Sequence, residues 1–148
     1  MPRPSQRALL LLAGCQLALS AEPPDSRDFF EKRIRPVLSK SCFGCHASTK
    51  MGGLDMASRE GLLKGGNSGP ALVPGKPEES LLIQAVNHQH ERIKMPLQQP
   101  KLADEHISNL VDWVKAGAYW PADVAVAAPK GSNYVITPAQ KSDRKSVV

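Results

Sequence analysis

Between Asp28 and Ser39 the apolar side chains fall at Phe30, Ile34, Val37 and Leu38, a spacing that predicts a helix with one buried face. Pro36 lies inside it, removes a backbone donor and crowds the preceding turn, so a kink or a restart with Pro36 in a first-turn position is expected. From Lys50 to Pro77 the periodicity breaks down among Gly52, Gly53, Gly61, Gly65, Gly66, Gly69, Gly75 and three prolines, which predicts loop with one helical turn over Ser58 to Lys64. Helical spacing resumes from Glu78 to Val86, with Leu81, Leu82, Ala85 and Val86 on one side. After a polar, proline-marked stretch, Asp104 to Ala116 carries Ile107, Leu110, Val111 and Val114 as an apolar stripe. Asp104 and Glu105 at its start and Lys115 at its end suit the helix dipole, and Gly117 can close it.

Sustained alternation with a period of two is confined to Asn133 to Thr137, so the domain is expected to be all-α. The chain of 148 residues suits one domain, expected over 28–121 after a short linker at 22–27. Beyond Pro121 the sequence turns to Ala, Pro, Ser and Lys without a periodic face, so 122–148 reads as linker or disorder. Thirteen Pro against two Trp, two Tyr and three Phe make a poor recipe for a large core, and such a domain gains from a bound cofactor or a crosslink.

Residues 1–21 have the form of an export signal, with Arg3 and Arg7, an apolar run from Ala8 to Ala21, and small residues Ala18, Ser20 and Ala21 at a cleavage site. That run, broken by Gln16, falls short of the roughly twenty residues a membrane span needs. Leu12 to Cys15 also resembles a lipobox, which makes lipidation of Cys15 a second fate for the leader. The formal net charge of +5 includes the two leader arginines, and the other basic residues are spread along the chain among acidic ones. A nucleic-acid partner, which needs a concentrated basic stripe, is not expected.

Chemistry concentrates in Cys42-Phe43-Gly44-Cys45-His46. Cys-x-x-Cys-His is the attachment pattern for haem c: on a helical turn two thiols three positions apart face one way and can form thioethers with the porphyrin vinyl groups, while the histidine ligates iron. Its second ring nitrogen would then bond a backbone carbonyl. A zinc site would want two further ligands, and His88, His90 and His106 do not form the usual pair. A thioredoxin-like dithiol would want a preceding strand, and a plain disulfide leaves His46 unexplained. Gly69 to Pro77 imitates a phosphate-binding loop, but five residues separate Gly69 from Gly75 and Pro77 replaces the hydroxyl residue. For a sixth iron ligand, Met51 and Met56 follow His46 too closely to cross to the opposite face of the ring. Met95, on a loop stiffened by Pro96, ranks first, and His88 or His90 would instead give bis-histidine ligation.

The segments "FFEKRIRPVLSKSCFGCH", "GGLDMASREGLLKGGNSGPALVPGKPEESLLIQAV", "KMP" and "ISNLVDWVKAGAYWP" resemble the planctomycete-type cytochrome c domain, within the class I cytochrome c fold. The resemblance covers about residues 28–121. It implies a small helical domain wrapped around one covalent haem c, with thioethers at Cys42 and Cys45, His46 as proximal ligand and Met95 as distal ligand. It further implies that Pro70, in Gly69-Pro70-Ala71-Leu72, gives its carbonyl to the proximal imidazole, and that Phe30 or Ile34 packs on Leu110 or Trp113. Two departures stand out. Ala103 and His106 replace the capping-box residues of the final helix, passing the cap to Asp104. Tyr134 to Lys141 reads as a linker towards a following module.

The expected function is therefore an exported, periplasmic mono-haem cytochrome that passes single electrons to redox partner proteins. A catalytic role is not expected, since no carboxylate pair or nucleophile-base set can be read. The alternative is a haem-containing sensing or interaction module, the amino-terminal part of a larger protein.

Overall fold

The computed structural model describes residues 22–124; the leader with Cys15, and the tail from 125 with its alternating stretch, lie outside them. The chain enters through Ser26, whose hydroxyl accepts the Phe29 amide and caps a helical run. That run comprises α1 (Arg27–Phe29), a π-helical segment (Phe30–Ile34) and α2 (Arg35–Ser41). Pro36 has no amide to give to the carbonyl four residues back. The π-helical spacing immediately before it, with the Arg35 amide bonded to the Phe30 carbonyl, accommodates that loss, and Pro36 stands in the first turn of α2 as expected of a restart.

α3 (Phe43–His46) follows at once. A 3₁₀ turn (Met51–Gly53) and α4 (Arg59–Lys64), capped by the Ser58 hydroxyl on the Gly61 amide, interrupt the long loop. The helix expected over Glu78 to Val86 is split at Ser80 into a 3₁₀ turn (Pro77–Glu79) and α5 (Leu81–Val86). Ser80 is fully buried, and its hydroxyl bonds back to Val73 and Lys76 instead of continuing the helix. Among the described residues there is no strand, only an isolated bridge between Gly66 and Gly69, so the fold is all-α.

The last helix, α6 (Asp104–Lys115), begins without a side-chain cap. Its N-cap is Ala103, and the expected capping residue Asp104 is already helical and pairs with Lys101, 3.1 Å away. Its end is better made. The Gly117 amide bonds the Val114 carbonyl and the Ala118 amide the Trp113 carbonyl, a Schellman closure with Gly117 at φ 99°.

α6 crosses the π-helical segment of the first run. Phe30, Ile34, Leu110, Trp113 and Val114 are fully buried there, each contributing about 1.5–3 kcal/mol by removal from water. The Phe30 and Trp113 ring centroids lie 6.2 Å apart, the contact that the resemblance implied, and Trp120 adds a third ring 4.9 Å from Phe30. Contacts run past both expected linker boundaries. Glu22 pairs with Lys32, Arg27 makes a two-pronged salt bridge to Asp123 at 2.8 and 2.7 Å, and Val124 is buried.

Candidate haem site

The first helical run ends at Cys42, whose φ of −126° turns the chain into α3. The His46 amide bonds the Cys42 carbonyl at 2.9 Å and the Cys45 amide reaches it at 3.2 Å, so Cys42, Cys45 and His46 share one tight turn. Phe43 between them is buried in the core and anchors that turn. Both cysteines are free and half-buried. Burial, with a smaller contribution from Cys45, pushes the Cys42 thiol up to about 12. A dithiol oxidoreductase needs the opposite, a depressed thiol on a βαβ frame, whereas the Cys42 thiol is raised and the described residues contain no strand.

His46 is held on two sides. Its carbonyl accepts the Met56 amide at 2.9 Å, and its Nδ1 lies 3.1 Å from the Met51 carbonyl. Burial pushes the imidazolium below its ordinary range, against the smaller opposing pull of that carbonyl. The result is a neutral ring with Nδ1–H donating to backbone and the lone pair on Nε2, the arrangement of a metal-bound histidine whose outer nitrogen is satisfied.

The carbonyl at Nδ1 belongs to Met51, which corrects the expectation for Pro70. Pro70 is exposed, and the segment around it serves packing: the Ala71 amide bonds the Leu62 carbonyl, the Leu82 amide bonds the Ala71 carbonyl, and Leu72 is buried. The physical reason is chain length. The short loop after His46 turns back through Met51–Gly53 and delivers a carbonyl five residues on, before the chain reaches Pro70. The glycine pair after Met51 was the sequence signal for that turn.

Met95 is half-buried against the hydrophobic core and precedes Pro96 across a cis peptide bond. Its amide bonds the Ala85 carbonyl at 3.0 Å, and its carbonyl meets Nε2 of His88 at 3.1 Å. Nδ1 of His90 faces the amides of Arg92 and Ile93 at 3.2 and 3.1 Å. His106 is exposed on α6, and Met56 is buried in the core at 1% exposure, so its side chain is engaged in packing. Among the described residues no group of three or more His, Cys, Asp or Glu side chains could hold a metal ion, which leaves the zinc reading without a ligand set there.

Two free thiols in one turn, an imidazole with Nε2 available and a thioether at Met95 are the donor types that a c-type haem centre uses, so the residues present fit that group. Residues 42–98 match the family model of planctomycete cytochrome C, which supports a domain of that type over that segment. The match takes in the Cys-x-x-Cys-His motif, the loops beyond it and Met95. No curated protein and no solved structure gives a significant match. Haem binding and electron transfer are the business of the cytochrome c family, and covalent haem c is the cofactor it implies.

Proposed function

We propose that the mature chain is an exported cytochrome holding a single haem c and exchanging one electron at a time with redox partner proteins. Cys42 and Cys45 hold the porphyrin through thioethers, His46 ligates iron through Nε2, and Met95 supplies the distal sulfur. When bound, the haem supplies the redox chemistry; the chain supplies ligands, burial and hydrogen bonds that tune it. The observation that carries this reading is the state of His46: neutral, oriented by the Met51 carbonyl, and one residue beyond a pair of free thiols. The domain acts as a carrier, with no catalytic step of its own.

Residues 1–21 direct export to the periplasm and are removed, with lipid attachment at Cys15 the other outcome to be tested. Residues 28–121 form the haem domain, with Glu22 paired to Lys32 and Val124 buried against its core. Among the described residues no helix is long and apolar enough to cross a membrane.

The test is expression with a haem c maturation system, followed by a denaturing gel stained for haem. The full chain should give one stained band at a haem-to-protein ratio of one, and Cys42→Ala with Cys45→Ala should abolish it. An unstained band from the unaltered chain ends the reading. Carbon monoxide separates the carrier from a sensing module, because a methionine-ligated ferrous iron resists the gas and an open one binds it at once.

A further inference from the structure

The loop from Asn87 to Met95 leaves α5 and closes back on it. The amide of His88 at its entry and the amide of Met95 at its exit both bond the Ala85 carbonyl, at 3.1 and 3.0 Å. Across this closure the His88 ring meets the Met95 carbonyl, with His88 held in the left-handed region at φ 59°. The interior of the loop is tied separately. The amides of Gln89 and His90 bond the Gln84 carbonyl, and the His90 ring receives the amides of Arg92 and Ile93.

The partners fix which nitrogen carries the proton. Facing a carbonyl, Nε2 of His88 must be the protonated nitrogen; facing two amides, Nδ1 of His90 must be the bare one. A neutral His90 therefore carries its proton on Nε2 and has no lone pair left for a metal. His88 keeps a lone pair only on Nδ1. Both rings are committed to the loop that presents Met95.

We infer that His88 and His90 are positioning residues for the distal ligand: their rings hold the loop closed so that Met95 is presented to iron already ordered, and neither ring is itself a ligand. The inference rests on Met95 ligation as proposed above. A ligand fixed before it binds loses less conformational entropy and is harder for a competing ligand to displace.

The experiment uses the haem-loaded full chain and pairs of substitutions matched in size. His88→Gln keeps a donor where Nε2 stands, and His88→Leu removes it. His90→Asn keeps an acceptor where Nδ1 stands, and His90→Leu removes it. Two readouts are made on ferric protein: the far-red charge-transfer band of methionine-ligated haem, and displacement of that ligand by added imidazole. The leucine variants are expected to take up imidazole roughly tenfold more readily, the worth of about one hydrogen bond, while the amide variants stay near the unaltered chain. Equal behaviour of each amide and leucine pair overturns the inference, as does loss of the band in both amide variants. Should the leucine variants not load haem, the amide variants decide alone by keeping or losing the band. If the unaltered chain lacks the band, Met95 ligation itself fails, and a bis-histidine spectrum abolished by either leucine variant would identify that histidine as the ligand.

Discussion

The Nδ1 atom of His46 stands 3.1 Å from the carbonyl oxygen of Met51, and the same oxygen receives the Leu54 amide at 3.3 Å. One turn of backbone therefore orients the imidazole, and what holds the turn in place reaches the proposed iron ligand. Behind it lies Gly66, where an added Cβ would stand 2.4 Å from the Gly52 carbonyl and 2.8 Å from the Leu54 amide, both backbone atoms of the turn. Gly66→Ala is expected to displace the turn, cost roughly 1–3 kcal/mol in strain and raise the reduction potential, because an imidazole without its acceptor is a weaker donor to ferric iron. Gly52→Ala is the control. Gly52 has φ 65° with open space around it, so alanine there costs roughly 1 kcal/mol in backbone conformation and should leave the potential unchanged. Voltammetry on the two loaded variants checks this; equal potentials in both would show that the turn does not tune the ring.

Ser80 carries a second expectation. Its residue is fully buried, and its hydroxyl accepts the Val73 amide at 2.9 Å while lying 2.9 Å from the Lys76 carbonyl. Ser80→Ala leaves the Val73 amide without that partner inside the protein, at a cost of about 1–3 kcal/mol. Denaturant unfolding of the loaded protein measures it, and the haem spectrum should not move, because Ser80 braces the approach to α5 and is not among the proposed ligands.

Trp113 bears on the crossing of the first run with α6. It is fully buried, packs on Phe30, and donates its indole N–H to the Tyr119 carbonyl at 2.7 Å. Trp113→Ala should cost about 3–5 kcal/mol through the cavity it leaves. Trp113→Phe keeps an aromatic ring but drops the donor, so its cost should fall near the 1–3 kcal/mol of an unsatisfied carbonyl. Thermal unfolding should rank them in that order, and equal melting temperatures would mean that the indole hydrogen bond carries no weight.

The helices were legible wherever one apolar face meets the core: Ile107, Leu110 and Val114 announced α6, and Phe30, Ile34 and Leu38 the first run. The Cys-x-x-Cys-His motif was equally plain because its chemistry lies in side chains of fixed spacing. What escaped depends on backbone atoms. The Met51 carbonyl has no side-chain signature, whereas Pro70 lies in a segment that the family resemblance marks as the imidazole acceptor. Ser80 reads as an ordinary polar residue until its hydroxyl is seen taking the Val73 amide, and the break in the helix before Leu81 follows from that bond. His88 and His90 read as candidate ligands by type, yet their partners are backbone groups of their own loop, a relation that periodicity cannot express.

The loop that carries Met51 also predicts an acid dependence. Asp55 accepts from the Lys50 ammonium at 2.7 Å and from the Ala57 amide at 2.9 Å, and these hold its carboxyl below the ordinary value of 3.8, Lys50 being the larger cause. A carboxyl depressed in the folded state stabilises it fully above the unfolded value, and that contribution is lost as the pH falls through the lower folded value. Lys50 and Asp55 remain partly open to solvent, so screening limits the ion pair to about 0.5 kcal/mol. Asp55→Asn keeps an oxygen for the Ala57 amide and removes the charge. Unfolding of the loaded chain and this variant should therefore differ by a constant small amount above about pH 5, and the difference should close as the solution is taken through the carboxylate range. A difference that persists undiminished in acid would mean that it does not arise from the charge on Asp55.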